Sequence, residues 1–296
     1  MTHPRAGFPF GIHDLESGLY ESAHWIWDRR ATAKRTGFPF GEETVTETIL
    51  MDLGSILSHS VHIVPFNKVE EGKVGADWEW CLYDHANNRY LRFLVQAKLL
   101  DDQDQLYAHV DRYIGNSGVR QIDRLADTSK RRGVPAIYVF YNHVTDSSRV
   151  PTDTCKCHAC LHCWGASVAP LPAVLALLPD KSFDTLSGVS FPWLCLLCAG
   201  QGGRRSEDTI DNAIAGLQRL DQLSRERLGD LYLDIPRPPE QPDREPPDYL
   251  AFLSDASTRK FDESSDATRE KLRAAHPGLD GVVLVDVAAP RPDFEA

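Results

Sequence analysis

The sequence has no apolar run approaching the roughly 18 residues that a membrane span needs. Its opening stretch, Met1 to Gly11, lacks the basic-then-apolar pattern of a secretory leader. Both absences predict a cytoplasmic protein with no membrane partner. Positive charge is scarce, since 32 Lys and Arg stand against 43 Asp and Glu and leave a formal net charge of -11. That balance argues against a protein that coats nucleic acid indiscriminately, because such binding rests on phosphate neutralisation. It leaves room for a nuclease, whose carboxylates hold cations and whose backbone contacts can come from short basic strips. Strips of that kind stand at Lys34-Arg35, Lys130-Arg131-Arg132 and Arg204-Arg205. The chain also lacks a Walker phosphate loop, a GxGxxG turn, an HExxH helix and a paired HxH, so none of the chemistries those motifs carry is indicated. His59, His62, His109 and His143 are therefore read as structural or surface residues.

What is present is an ordinary globular composition, 42% apolar and 25% charged, which predicts a folded core. Residues 12–34 carry apolar positions at helical spacing and stop at Gly37-Phe-Pro-Phe-Gly41, a pentapeptide that also occurs at Gly7–Gly11. Residues 42–58 predict an amphipathic helix with an acidic first turn. Strand-like runs follow at 61–66, 76–83 and 90–98 and suggest a meander, then a helix at 118–131 and a buried strand at Ala136–Tyr141. Helix, three strands, helix, strand is an α/β order. Four segments are expected: an N-terminal helical segment (1–41), a core (42–150), a cysteine-rich insert (151–205) with a small helix at Val168–Leu178, and a C-terminal part (206–296). This last part holds a helix at 206–228, a proline-rich stretch at Pro236–Pro247, a helix near Ala267–Ala275 and a strand, Gly281–Val287, expected to return to the sheet.

Residues two apart on a strand share a face, so Asp77 and Glu79 project together, as do Gln96 and Lys98 at the end of an otherwise apolar run. Burying such groups is costly unless they are paired or bound to a metal. Mg²⁺ or Mn²⁺ accepts oxygen ligands of the kind that Asp77, Gln96 and the Ala97 carbonyl supply. Lys98 could then orient or deprotonate a water, or stabilise charge developing on a phosphate. On the preceding helix the stripe Glu43, Thr46, Leu50, Leu53 and Leu57 points Glu43 inward, with Glu42 and Glu47 nearer the flanks and Glu47 the second choice. The alternative role for these side chains is structural, with Glu79 paired to Lys98 or an arginine across the sheet and Gln96 satisfying backbone groups.

A helix acid, then Asp77 within GADWEW (75–80), then Gln96-Ala-Lys98, resembles the PD-(D/E)xK restriction-endonuclease-like superfamily. The Gln is similar to that of Mrr-type restriction enzymes, and the GADWEW and QAK pairing is similar to that of bacterial proteins associated with defence against foreign DNA. The resemblance covers about residues 40–145, with Gln96 in place of the usual acid and Ala76 in place of the motif's proline. It implies a mixed β-sheet flanked by helices and a Mg²⁺- or Mn²⁺-dependent endonuclease acting on DNA, with RNA as the alternative substrate. Asp77 would be the central metal ligand, Lys98 the catalytic lysine and Gln121 an accessory residue. Expected partners are DNA, a defence-system partner or activating signal, and a second copy of the chain. A catalytically inactive fold that binds nucleic acid or protein is the alternative reading.

Six of the seven cysteines cluster, and in a reducing compartment clustered thiols read as metal ligands. Cys160-Leu-His-Cys163-Trp-Gly165 and Cys195-Leu-Leu-Cys198-Ala-Gly200 are two copies of CxxCxG. Each resembles a zinc knuckle, and the four thiolates together suit a closed structural Zn²⁺ site. Cys155 and Cys157 leave the set open, since either could replace one of the four or join His158 or His162 in a second site.

Overall fold

The computed structural model describes residues 14–65, 76–115, 117–153, 160–198, 208–233, 235–251, 270, 273–274 and 279–289. The first helix, α1 (Leu15–Thr36), opens on a capping box: Ser17 N–H donates to Asp14 Oδ1 at 2.9 Å and Asp14 N–H donates to Ser17 Oγ at 3.1 Å. It closes on Gly37, whose φ of +67° suits a residue without a Cβ. Helix α2 (Glu42–Ile56) follows after the Phe-Pro-Phe turn and keeps its acids in the first turn, where the helix dipole favours them. The other helices long enough to define layers are α3 (Gln121–Arg132) and α6 (Thr209–Leu228), with short α4 (Leu171–Leu177), α5 (Phe183–Ser187) and α7 (Asp248–Ala251). Among the described residues no helix is long and apolar enough to cross a membrane.

The strands are β1 (Val61–Pro65), β2 (Trp78–Asp84), β3 (Arg89–Leu99), β4 (Ala136–Tyr141), β5 (Ala166–Pro170), β6 (Phe191–Pro192) and β7 (Gly281–Asp286). They form one mixed sheet in the order β1-β7-β2-β3-β4-β5-β6. The expected meander is realised only as the β2–β3 hairpin, because β7 lies between β1 and β2, antiparallel to the first and parallel to the second. Gly281 permits this entry, since a Cβ there would sit 2.2 Å from Trp78 Cζ3 and 2.6 Å from the Val64 carbonyl oxygen. The late strand therefore does return to the sheet. Most of the helix expected at 267–275 lies outside the described residues.

The cysteine-flanked segment supplies β5 and β6 to the same sheet, beside β4. Val168 is a strand residue, and only Leu171–Leu177 of the expected helix is helical. All five residues of β5 are buried. A strand covered on both faces loses the alternation that would identify it in the sequence.

Alternation along β3 divides the core. Leu91, Phe93, Val95 and Ala97 pack with the apolar faces of α1, α2 and α6, while Tyr90 and Leu94 join α3, α4 and α5 on the opposite side. Gln96 and Lys98 continue this second face, and both are buried. Close backbone approach fixes the first layer at a glycine of α6. Gly216 of α6 lies under the turn Trp193–Leu196, where an added Cβ would meet the Leu196 carbonyl oxygen at 2.0 Å. Alanine is preferred over glycine in a helix by about 1 kcal/mol. The overlap nevertheless dominates, and Gly216→Ala is expected to destabilise the protein by about 1–3 kcal/mol, as overpacking does. A lower urea midpoint with an unchanged denaturant slope is the expected reading, and a raised midpoint would show that the turn yields instead.

Candidate active site

Strand β3 outlasts β2. Their antiparallel register sets Trp78 opposite Val95, so β2 has ended where β3 continues through Ala97 to Leu99. Two backbone N–H groups on that overhang are met by carboxylates. Ala97 N–H donates to Asp77 Oδ2 at 2.9 Å, and Leu99 N–H donates to Glu42 Oε2 at 3.1 Å. Asp77 arrives from the residue before β2, its own N–H donating to the Val95 carbonyl at 3.0 Å, and Glu42 arrives from the first turn of α2. The need to satisfy a strand edge thus draws two acids to one end of the sheet.

Lys98 and Gln96 stand between and beside them. The Lys98 ammonium, on a side chain 1% exposed, lies 3.2 Å from Glu42 Oε1. Gln96 Nε2 donates to Asp77 Oδ2 at 2.7 Å and to the Ala97 carbonyl at 3.2 Å. Both partners are acceptors, so the amide cannot be turned over without setting oxygen against oxygen. Gln96 Oε1 is then left buried without a hydrogen-bond partner. A buried carbonyl in that condition costs about 1–3 kcal/mol.

Burial pushes the Asp77 carboxyl above its ordinary value. The Lys98 ammonium and the bonds from Ala97 and Gln96 oppose the shift, and the Glu42 carboxylate adds to it. Two acids and one lysine share this pocket, and the acid beside Gln96 resists ionising. A cation would relieve the repulsion and satisfy the Gln96 oxygen together.

The structure therefore brings together Asp77, Gln96 and Lys98, with the Ala97 carbonyl beside them. It replaces Glu43, which is exposed on the outer side of α2 along with Glu47; Glu42 is the acid that reaches the strand end. The stripe argument places side chains within a helix, whereas Glu42 sits at its first residue and reaches past the helix end. Glu79 is also removed from the centre. Although it shares the face of Asp77, its side chain is fully buried, with Oε2 at 2.9 Å from Arg132 Nη1, Oε1 accepting from the Tyr249 hydroxyl at 3.0 Å, and Arg92 at 3.8 Å. That is the arginine pairing weighed as the alternative. Gln121 heads α3 and accepts from Arg112 Nε at 3.0 Å, which commits its amide oxygen to holding the preceding loop.

Sequence reasoning missed Arg30. From α1 its guanidinium, 2% exposed, donates to the Leu100 carbonyl and pairs with Asp102 at 2.8 Å, while Lys34 Nζ reaches the Asp102 carbonyl at 3.2 Å. Helix α1 thereby grips the chain just beyond Lys98. Its place on the helical stripe of Ala23, Ile26, Trp27 and Ala33, all buried, was the signal available. Of the basic strips, Lys34 and Arg132 are committed to these internal contacts, Arg35, Lys130 and Arg131 are exposed, and Arg204-Arg205 lie outside the described residues.

A second cluster stands apart from the acids. His24 Nε2 of α1 lies 3.3 Å from Cys160 Sγ and 3.8 Å from Cys163 Sγ, and these three residues could hold a metal ion. The structure thus groups Cys160 and Cys163 with His24 and not with Cys195 and Cys198. The latter turn lies against α6, where Arg219 Nη2 donates to the Cys195 and Cys198 carbonyls at 2.7 and 2.8 Å. Cys155 and Cys157 lie outside the described residues. Cys81 is buried in β2, where burial pushes its thiol up to about 12.

A mixed α/β protein with a buried lysine paired to a part-buried carboxylate at one sheet end is the class that this fold and site define. The chain belongs to the DUF6615 family, a family of unknown function, whose pattern matches residues 15–286 and so includes all the site residues above. No curated protein and no solved structure matches it.

The role assigned to Glu79 has a direct consequence. Glu79→Ala should destabilise the fold by about 3 kcal/mol, the low end for a broken buried pair because Arg92 and Arg132 can turn to solvent. Denaturant unfolding measures this, and a change below about 0.5 kcal/mol would show that the pair is not structural.

Proposed function

We propose that this protein is a restriction-endonuclease-like, Mg²⁺- or Mn²⁺-dependent nuclease that hydrolyses phosphodiester bonds in DNA, in defence against foreign DNA. The observation that carries the reading is the orphaned Gln96 Oε1 beside the Asp77 carboxylate. A buried oxygen acceptor with no donor, next to an acid whose ionisation is resisted, is a place where a hard cation fits. The element order supports it as well: a helix acid in α2, Asp77 ahead of β2, Gln96 and Lys98 on β3, then α3 and β4.

In this reading Asp77 and Gln96 hold the ion, with Glu42 in the place expected of Glu43. The ion would polarise the scissile phosphate and favour ionisation of a water. Lys98, held by its contact with Glu42, would present positive charge where negative charge develops on the phosphoryl oxygens. Glu42 fixes the lysine in place and, through Leu99 N–H, ties α2 to the same strand. The exposed Arg35 and Lys130 could meet a DNA backbone, and binding through them would weaken steeply with salt.

The test is cleavage of plasmid DNA, with RNA in parallel, in the presence of Mg²⁺ or Mn²⁺. Asp77→Ala and Lys98→Ala should each lower the rate by more than about 100-fold. Glu42→Ala should cost more than Glu43→Ala. Equal rates for wild type and all four variants would remove the nuclease reading.

A second reading, a metal-binding but non-cleaving module that recognises nucleic acid, is favoured by the neutral amide at position 96 and by the lysine's engagement with Glu42. Gln96→Glu bears on the metal itself. It places a carboxylate against Asp77, so the variant should melt below wild type without a divalent ion and recover more than wild type on adding Mn²⁺. A melting temperature indifferent to Mn²⁺ in both proteins would exclude either metal-bound reading.

A further inference from the structure

Two parts of the chain 136 residues apart present nitrogen and sulfur to one point: His24 from α1, and Cys160 and Cys163 from the turn that leads into β5. The geometry points to a zinc site built from His24 Nε2 and the two Sγ atoms, which fastens α1 to that turn.

The spacing of the donors carries the assignment. With Zn–N near 2.0–2.1 Å and Zn–S near 2.3 Å, a tetrahedral angle sets the N···S edge at about 3.5 Å. The observed 3.3 and 3.8 Å bracket that value, and all three donor atoms lie within 4.8 Å of one another. No fourth His, Cys, Asp or Glu among the described residues joins the group. Soft thiolates with an imidazole select zinc over the hard cation suited to Asp77 and Gln96. On binding, each thiol gives its proton to solvent and the neutral imidazole supplies its lone pair.

The packing around the donors is built for close approach. Gly165, two residues after Cys163, lies against α1 so tightly that a Cβ there would stand 1.9 Å from the Ala23 carbonyl oxygen and 2.9 Å from Trp27 N. The glycine of this CxxCxG therefore makes room for the helix that bears His24. The imidazole is held between Tyr20, with ring centroids 4.3 Å apart, and His162, at 5.3 Å. A ring so confined aims one nitrogen at the sulfurs. The site also has a structural reach, since α1 carries Arg30 and Lys34, which hold the chain beyond β3. Zinc here would stiffen the helix that supports the end of the sheet.

The proposal does not depend on nuclease activity, and its test reads metal directly. Full-length protein purified without added chelator should contain zinc, and X-ray absorption at the zinc edge should show nitrogen near 2.0–2.1 Å together with sulfur near 2.3 Å. His24→Gln and Cys160→Ser should each lose one zinc equivalent per chain, and stripping the metal from wild type should lower its melting temperature. A zinc shell of sulfur alone, a His24→Gln protein that keeps its full metal content, or a Cys160–Cys163 disulfide in protein that takes up no zinc would each overturn the assignment. The absorption measurement uses the wild-type chain and so stands even where a variant fails to fold.

Discussion

The end of β3 is where the structure carries its heaviest constraint. A strand that outruns its neighbour leaves backbone N–H groups facing a partly buried space, and a buried donor without an acceptor costs as much as a lost hydrogen bond. Here Asp77 meets one such group and Glu42 the next. Acids drawn in for backbone reasons bring charge with them. Lys98 answers one of them, and the Gln96 amide answers the other in part. The remaining imbalance, an orphaned oxygen beside a carboxyl that burial drives toward its neutral form, follows from the same overhang.

Helices α1 and α2 exist in this arrangement to keep the overhang in place. Helix α2 packs Val45, Ile49 and Leu53 on the sheet, which sets its first residue at the strand end. Helix α1 lies over the same face and sends Arg30 around to the Leu100 carbonyl. The opposite layer contributes Arg132 from α3, which neutralises Glu79 and so keeps a third carboxylate away from Asp77. Of two acids on one strand face, the one beneath α3 is thereby paired with arginine, and the one at the strand mouth meets Ala97 N–H and the Gln96 amide.

Much of this was legible in the sequence where local periodicity dictates structure. Strands β3 and β4 and helices α1, α2 and α6 fall near their expected bounds, since an apolar run or an amphipathic stripe is a property of adjacent residues. The pairing of Asp77 with Gln96 and Lys98 followed from face alternation and motif order. What escaped was set by distant neighbours. The place of β7 between β1 and β2 depends on a pairing 224 residues apart in the chain, with Val61 opposite Val285. The choice of Glu42 over Glu43 turns on where the helix begins relative to the strand end, which the helical wheel does not encode. His24 carried no spacing signal at all. Only Tyr20 and Asp28, one turn to either side, mark its face as polar on a helix that otherwise buries its inner residues.

The two candidate metal centres differ in chemistry because their surroundings differ. At the strand end the donors are oxygens, one of them on a neutral amide, which would suit a hard cation. At the α1 turn the donors are sulfur and imidazole, confined by a glycine that admits the helix backbone, which suits an ion bound during folding. Arg30 connects them, since it stands on the helix that the second centre would anchor and holds the strand that forms the first. From the thiols to the Leu100 carbonyl the path is thus about two turns of α1 and one guanidinium, and it passes through none of the acids.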